Sequence, residues 1–309
     1  MKTKLWVGTG VAAVALLVTA GILWKGMDMP AQSAGNTPKT TGLKLSESGT
    51  SATGNVTWLA ADELKGQSGL LSLVNSTYAW DESDSRLVSI YENKNDSYYV
   101  RDKTVMVEER VMEPLNRLLK DFYEKTGNHT INVVAGYRTA DDQRSIYARS
   151  VSENGAAHTA RYVAQPGQSE HHTGLAVDFS LFFNEYVSGD FTGQGDTKWI
   201  MENAYRYGFV QRYPKGREAI TGVAEEPWHF RYVGPIHAAI MQEKNICLEE
   251  YIAYLKTFPY EEKHLQVNSD GQDVEIYYAK GDRIPVPKDA EYSLSKDNTG
   301  GCVVTILRS

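Results

Sequence analysis

Hydrophobic and polar positions change texture several times along the chain, and each texture predicts a different kind of element. An uncharged run from Leu5 to Trp24 comes first, flanked by Lys2, Lys4 and Lys25. At a rise of about 1.5 Å per residue, a helix of this length matches a hydrocarbon core of about 30 Å, so residues 1–25 are expected to form one membrane-spanning anchor. The lysines at its N-terminal edge favour an inside N-terminus, which exports everything that follows. A cleaved signal peptide ending near Ala31-Gln32-Ser33 is the competing reading. No later apolar stretch is as long, so the expectation is a single-pass protein of the cell membrane with an extracytoplasmic remainder. Residues 26–60 are rich in Ser, Thr, Gly, Asn and Pro and read as a flexible linker.

Beyond the linker the pattern becomes that of a folded domain. Leu70 to Asn75 is a short apolar run and the expected first ordered element. Val111, Met112, Leu115, Leu118, Leu119 and Phe122 recur at helical spacing, with Gly127 as the stop. Thr130 to Ala135 reads as a strand broken by Gly136. Thr139 with Asp142 resembles a capping box opening a helix through Arg149. Trp199, Ile200, Ala204 and Tyr207 predict a helix stopped by Gly208, then a strand from Phe209 to Tyr213. Trp228 to Val233 is aromatic and β-branched, a strand that Pro227 suits as an opening residue. One long helical pattern follows from Ile236 to Phe258. From Leu265 to Leu307 the alternation is short, with turns at Asp270-Gly271 and Thr299-Gly300-Gly301, which predicts a small β appendage over 265–309 behind a main domain at 61–264.

Composition narrows the function classes. A chain of 309 residues with 41% hydrophobic content can bury a substantial core. Its 32 Lys+Arg against 39 Asp+Glu leave a net charge of −7, which argues against a nucleic-acid partner. The two cysteines, Cys247 and Cys302, have no metal-ligand spacing; they either pair or sit buried as free thiols.

The candidate chemistry lies in Ser169-Glu170-His171-His172-Thr173-Gly174-Leu175-Ala176-Val177-Asp178. A strand starting near Leu175 would place Ala176 and Asp178 on one face, and Gly174 allows a sharp entry that brings His171 back toward Asp178. Zinc at a hydrolytic site usually has three protein ligands and an open position. His229 supplies the third candidate, and Glu226, just before its strand, is placed to take a proton from water without binding the metal. His172 is an alternative to His171 that the sequence leaves open. His129, His158, His237 and His264 read as structural or surface residues. Arg138, at a strand end beside a loop, is either functional or an ordinary exposed ion pair. Ser293-Leu294-Ser295-Lys296 and Lys125-Thr126-Gly127 share the spelling of serine-type penicillin-binding enzymes, but in reverse order and in unsuitable elements, and read as coincidence.

Taken together, Ser169 to Asp178, Glu226-Pro227-Trp228-His229 and Gly136-Tyr137-Arg138 resemble the motifs of the zinc D-alanyl-D-alanine carboxypeptidases, VanY-type enzymes above all. The resemblance runs from about Leu70 to Phe258, and through the anchor and tail in layout. It implies an α+β fold, a small antiparallel sheet with flanking helices carrying one Zn2+ per chain on His171, Asp178 and His229. It further implies Glu226 as catalytic base, Arg138 as oxyanion or substrate stabiliser, and Ser169, Gln143 and Trp228 as substrate contacts. The implied substrate is a peptidoglycan stem peptide ending in D-Ala-D-Ala, whose trimming removes the target of vancomycin. An L,D- or dual-specificity carboxypeptidase or wall endopeptidase on the same zinc site is the nearest alternative, and a non-catalytic wall-binding module the more distant one.

Overall fold

The computed structural model describes residues 43–49, 55–64, 69–80, 85–269 and 271–308. The expected anchor over 1–25 lies outside the described residues; among the described residues no helix is long and apolar enough to cross a membrane. The fold is mixed α/β, with sheets and helices layered around contiguous cores.

Two strands, β1 (Lys44–Gly49) and β2 (Val56–Ala60), fall inside the stretch expected to be linker, a correction to the 26–60 assignment. Both pair with strands much later in the chain; β1 is mostly polar, and the five residues of β2 show no alternation of buried and exposed positions to read. The apolar run Leu70–Asn75 packs without regular structure: Leu71, Leu73 and Val74 are buried, and Ser295 Oγ accepts from the Leu71 amide at 2.8 Å. Strand β3 (Leu87–Ser89), helix α1 (Ile90–Asn93) and strands β4 (Tyr99–Val100) and β5 (Met106–Glu108) lead into helix α2 (Glu109–Thr126). This helix buries the six apolar residues its period predicts and ends at Gly127 with φ 70°.

Strand β6 (Ile131–Ala135) follows, then helix α3 (Ala140–Asn154), where the Thr139 side chain accepts from the Asp142 amide. Helix α4 (Ala156–Tyr162), strands β7 (Ala176–Asn184) and β8 (Val187–Asp190), helix α5 (Lys198–Asn203), strand β9 (Phe209–Tyr213), helix α6 (Glu218–Thr221) and strand β10 (Glu226–Tyr232) complete the first layer. The sheet has the order β4-β6-β7-β10-β9 with β8 on β7, antiparallel except for β4 against β6. Its inner face meets α2 through Val133, Val177, Phe179 and Phe230, all buried in one core with Leu115, Leu119 and Phe122.

The helical pattern from Ile236 to Phe258 is two helices, α7 (Pro235–Lys244) and α8 (Leu248–Leu255). Asn245 adopts φ 51° and ends the first, and Glu250 caps the second by accepting from the Cys247 amide. Strands β11 (Lys263–Ser269), β12 (Gln272–Lys280), β13 (Arg283–Pro287), β14 (Tyr292–Lys296) and β15 (Gly301–Arg308) close the chain. The order β1-β11-β12-β15-β14 makes a five-stranded antiparallel sheet, while β13 pairs β2. This sheet shares a core with α7 and α8 through Val267, Val274, Ile276, Val303, Ile240 and Leu255, so residues 265–309 are built into the body of the protein rather than appended to it. Cys247 and Cys302 are buried free thiols, each raised by burial, to about 11 and about 12.

Candidate active site

Four backbone segments converge on one cleft. A 3-10 turn at Glu170–Thr173 carries His171, and the Ser169 side chain caps it by accepting from the His171 amide. Gly174 leaves that turn with φ 71°, and a Cβ there would stand 3.0 Å from the Glu108 backbone nitrogen, so the position suits glycine on both counts. Asp178 lies on β7 directly opposite His229 on β10. Gly136, at the end of β6, lies so close to β5 that an added Cβ would stand 2.1 Å from the Met106 carbonyl oxygen; it delivers Tyr137 and Arg138 to the rim.

Glu226 and His229 are three residues apart, and a regular strand would point them to opposite faces. The pairing of β10 with β9 slips between them: Glu226 faces Tyr213 and Phe230 faces Gln211, four residues of advance against two. Within that irregular stretch the strict alternation of faces is lost, and both side chains line the same cleft. The expectation that Glu226 stands before the strand is thus adjusted: it is the strand's first residue.

His171, Asp178 and His229 each offer a ligand atom, all within 4.8 Å of one another. His171 Nδ1 donates to the Gly136 carbonyl at 2.7 Å, which leaves Nε2 a lone pair 3.2 Å from Asp178 Oδ2. Burial pushes the His171 pKa down, against the pull of Asp178, so this ring is neutral and two acceptors face each other. His229 turns Nδ1 toward Asp178 Oδ1 at 2.9 Å and Nε2 toward Glu170 Oε2 at 3.5 Å. Burial opposes charge on His229, but its bonds to Asp178 and Glu170 outweigh that and push it up to about 10. Asp178 is held well below the usual carboxylate range; burial alone would raise it, and the two imidazoles outweigh burial. Two imidazole nitrogens around a carboxylate that draws positive charge, where a metal ion could take the place of the His229 proton, are the donor set of a small divalent cation, and two nitrogens with one oxygen suit zinc. His172 is excluded as a ligand: Nδ1 donates to the Arg138 carbonyl at 2.7 Å and Nε2 accepts from the Gly167 amide at 3.1 Å, so both nitrogens brace the loop.

Around this trio lies a cleft of about 200 Å³, smaller than the roughly 300–1,000 Å³ of sites for drug-sized ligands. Glu226 lines it, 3.9 Å from His229 Nδ1; burial raises its carboxyl to about 7, with His229 lowering and Asp178 raising it. Arg138 lines the cleft with Nη1 donating to Gln143 Oε1 at 2.7 Å, and Gln143, buried, donates to the Ala164 carbonyl at 2.6 Å. Ser169 and Trp228 also lie in the wall, so every site residue expected from the sequence is brought to one cleft.

Sequence reasoning missed what stands behind the ligands. Glu170 is wholly buried and bonded to Arg212 (2.8 Å) and Arg231 (2.9 Å), and Arg212 is gripped in turn by Glu249 at 2.6 and 2.9 Å. Tyr213 packs on the His229 ring at 5.0 Å between centroids and lies under the Arg212 guanidinium. One signal was present: Arg231 follows His229 by two residues on a strand and so shares its face.

The sequence profile of the VanY family, D-alanyl-D-alanine carboxypeptidase, matches residues 104–235. A D-alanyl-D-alanine carboxypeptidase of Enterococcus faecium is 33% identical over 246 residues, 77% of this chain and 75% of that protein. Among solved structures, the vancomycin resistance D,D-dipeptidase VanXYg, in complex with a D-Ala-D-Ala phosphinate analogue, matches with TM-score 0.71 and 33% identity over 86% of this chain and all of that one. The LdcB LD-carboxypeptidase matches with TM-score 0.50 and 36% identity over 60% of this chain and 86% of that one. On this footing the chain belongs to the VanY family of D-alanyl-D-alanine carboxypeptidases.

Proposed function

We propose that this protein holds one zinc ion on His171 Nε2, Asp178 and His229 Nδ1 and uses it to remove the terminal D-alanine from peptidoglycan stem peptides, thereby contributing to vancomycin resistance. The observation that carries the reading is a buried carboxylate between two imidazole nitrogens, with the Glu226 carboxyl 3.9 Å from His229 Nδ1. Zinc bound there supplies Lewis acidity, polarising a carbonyl and making water acidic enough to give up a proton near pH 7. Glu226, tuned upward by burial, takes the proton of the attacking water as its oxygen bonds to the carbonyl carbon of the scissile amide. Arg138, aimed by Gln143, donates to the oxygen on which charge develops. As the C–N bond breaks, Glu226 returns the proton to the departing amine of D-alanine. Ser169, Gln143 and Trp228 line the wall against which the chain end rests. The apolar N-terminal run would tether this site to the outer face of a cell membrane, within reach of wall precursors.

The test combines metal content with product analysis. Purified protein is expected to carry one zinc per chain, to release D-alanine from a D-Ala-D-Ala-terminated pentapeptide stem and to lose that activity in a strong chelator. Turnover that persists in chelator would end the zinc reading. The likeness to LdcB favours one second reading, removal of the D-residue from a tetrapeptide stem by the same groups. Pentapeptide and tetrapeptide stems assayed side by side decide between them.

A further inference from the structure

The two oxygens of Glu170 are committed differently. Oε1 accepts from Arg212 Nε at 2.8 Å and from Arg231 Nη1 at 2.9 Å. Oε2 faces His229 Nε2 at 3.5 Å, the outer edge of a hydrogen bond, and neither atom has another partner among the described residues. The two guanidinium groups are fixed from behind, Arg212 by the Glu249 carboxylate and Arg231 Nη2 by the carbonyls of Leu70 and Ser72, each at 3.0 Å. Glu170 therefore cannot rotate away without taking from Arg231 its one carboxylate partner among the described residues and from Arg212 one of its two.

A neutral imidazole carries a single N–H, and the partner of one nitrogen decides whether the other keeps its lone pair. We infer that Glu170 is a positioning residue that selects the tautomer of His229: with Oε1 saturated by two arginines, Oε2 holds the proton on Nε2 and leaves Nδ1 as an electron-pair donor to the metal. The inference rests on the zinc reading above and goes past it, because it assigns metal affinity to a residue that is not a ligand. Glu170 also precedes His171 in the chain, so one short turn supplies a ligand from one residue and orients another ligand through its neighbour.

The chemistry of an amide makes the inference testable. In Glu170→Gln the two arginines, which can only donate, must be met by the amide oxygen, and this turns the NH2 toward His229. A donor there demands a lone pair on Nε2, which moves the ring proton to Nδ1, the ligand atom. Zinc affinity is read by competition with a chromophoric chelator, alongside the thermal midpoint of the zinc-free protein. Glu170→Gln is expected to weaken zinc binding by about 10- to 100-fold. Glu249→Gln disturbs the same buried charges without touching Oε2 and is expected to bind zinc within about threefold of the unaltered protein, well short of that range. Equal losses in both variants, or none in Glu170→Gln, would overturn the inference while leaving the zinc reading intact. Nitrogen-15 spectra of histidine in the unaltered, zinc-loaded protein give a measurement independent of any variant's folding. Nδ1 as the ligated nitrogen and Nε2 as the protonated one support the inference, and ligation through Nε2 refutes it. An unaltered protein that binds no zinc removes both readings together.

Discussion

His237 offers the sharpest test of the energetics, because it is not among the residues lining the cleft and its cost can be worked from one quantity. It sits on α7, buried against α8 and β15, with Nδ1 2.7 Å from the Tyr251 hydroxyl and Nε2 3.2 Å from Thr305 Oγ1. Both partners are hydroxyls, which suit a neutral ring, and burial pushes the pKa down to about 4 from an ordinary 6.5. Between those values the unfolded chain binds a proton that the folded chain refuses, so stability falls as pH drops through the window and is unaffected by this residue above it. The gap of 2.5 units, at 1.36 kcal/mol each, makes the loss about 2 kcal/mol by pH 5 and about 3 kcal/mol by pH 4. His237→Gln keeps a group that can donate and accept but cannot be charged. Urea unfolding of both proteins, without zinc, at pH 7.5, 5 and 4 isolates the effect, since every other titrating group is shared. The variant is expected to lose less stability on acidification, by those amounts. A difference between the two proteins that stays constant within about 0.5 kcal/mol across the window would refute the reasoning.

Other outcomes follow from the cleft. Glu226→Gln is expected to lower kcat for D-alanine release by about 10²- to 10⁴-fold, with zinc still bound at one per chain, since the base is lost but no ligand is; metal analysis of the inactive protein checks the second half. Arg138→Ala should lower kcat by about 10²- to 10³-fold, with the thermal midpoint little changed because the side chain is only half-buried. Gly136→Ala forces a methyl against the Met106 carbonyl and should cost at least about 1–3 kcal/mol in thermal unfolding. The same change shifts the carbonyl that orients His171, so zinc affinity should fall with it.

The outline of the fold was legible where side chains carry a period. Helix α2 and strands β6 and β9 stand close to where their apolar spacing put them, and Gly127 ends its helix as expected. Strand β1 was not legible because Lys44–Gly49 is an edge strand of mostly exposed polar side chains, held by backbone pairing to β11 that no local pattern encodes. The break between α7 and α8 turns on the left-handed backbone of one residue, Asn245, inside an otherwise continuous apolar period. In the cleft, the short segments carrying His171, Asp178 and His229 could be picked out singly, but the register that sets His229 opposite Asp178 belongs to the sheet as a whole. Glu170 was illegible because an acid beside two histidines looks like a solvated neighbour until two arginines from distant strands are seen to close on it.

The slip in pairing along β10 has a bearing on how this enzyme can change over generations. A single insertion or deletion between Glu226 and His229 would swing the carboxylate through the sheet to its far side, so the segment should tolerate altered side chains far better than altered length. The stretch just upstream, from Pro214 to Val223, is under no such constraint: much of it is solvent-exposed, and Val223 borders the cleft. New preferences for the end of the peptide should therefore arise by lengthening or shortening that upstream stretch, with the reacting groups left where they are.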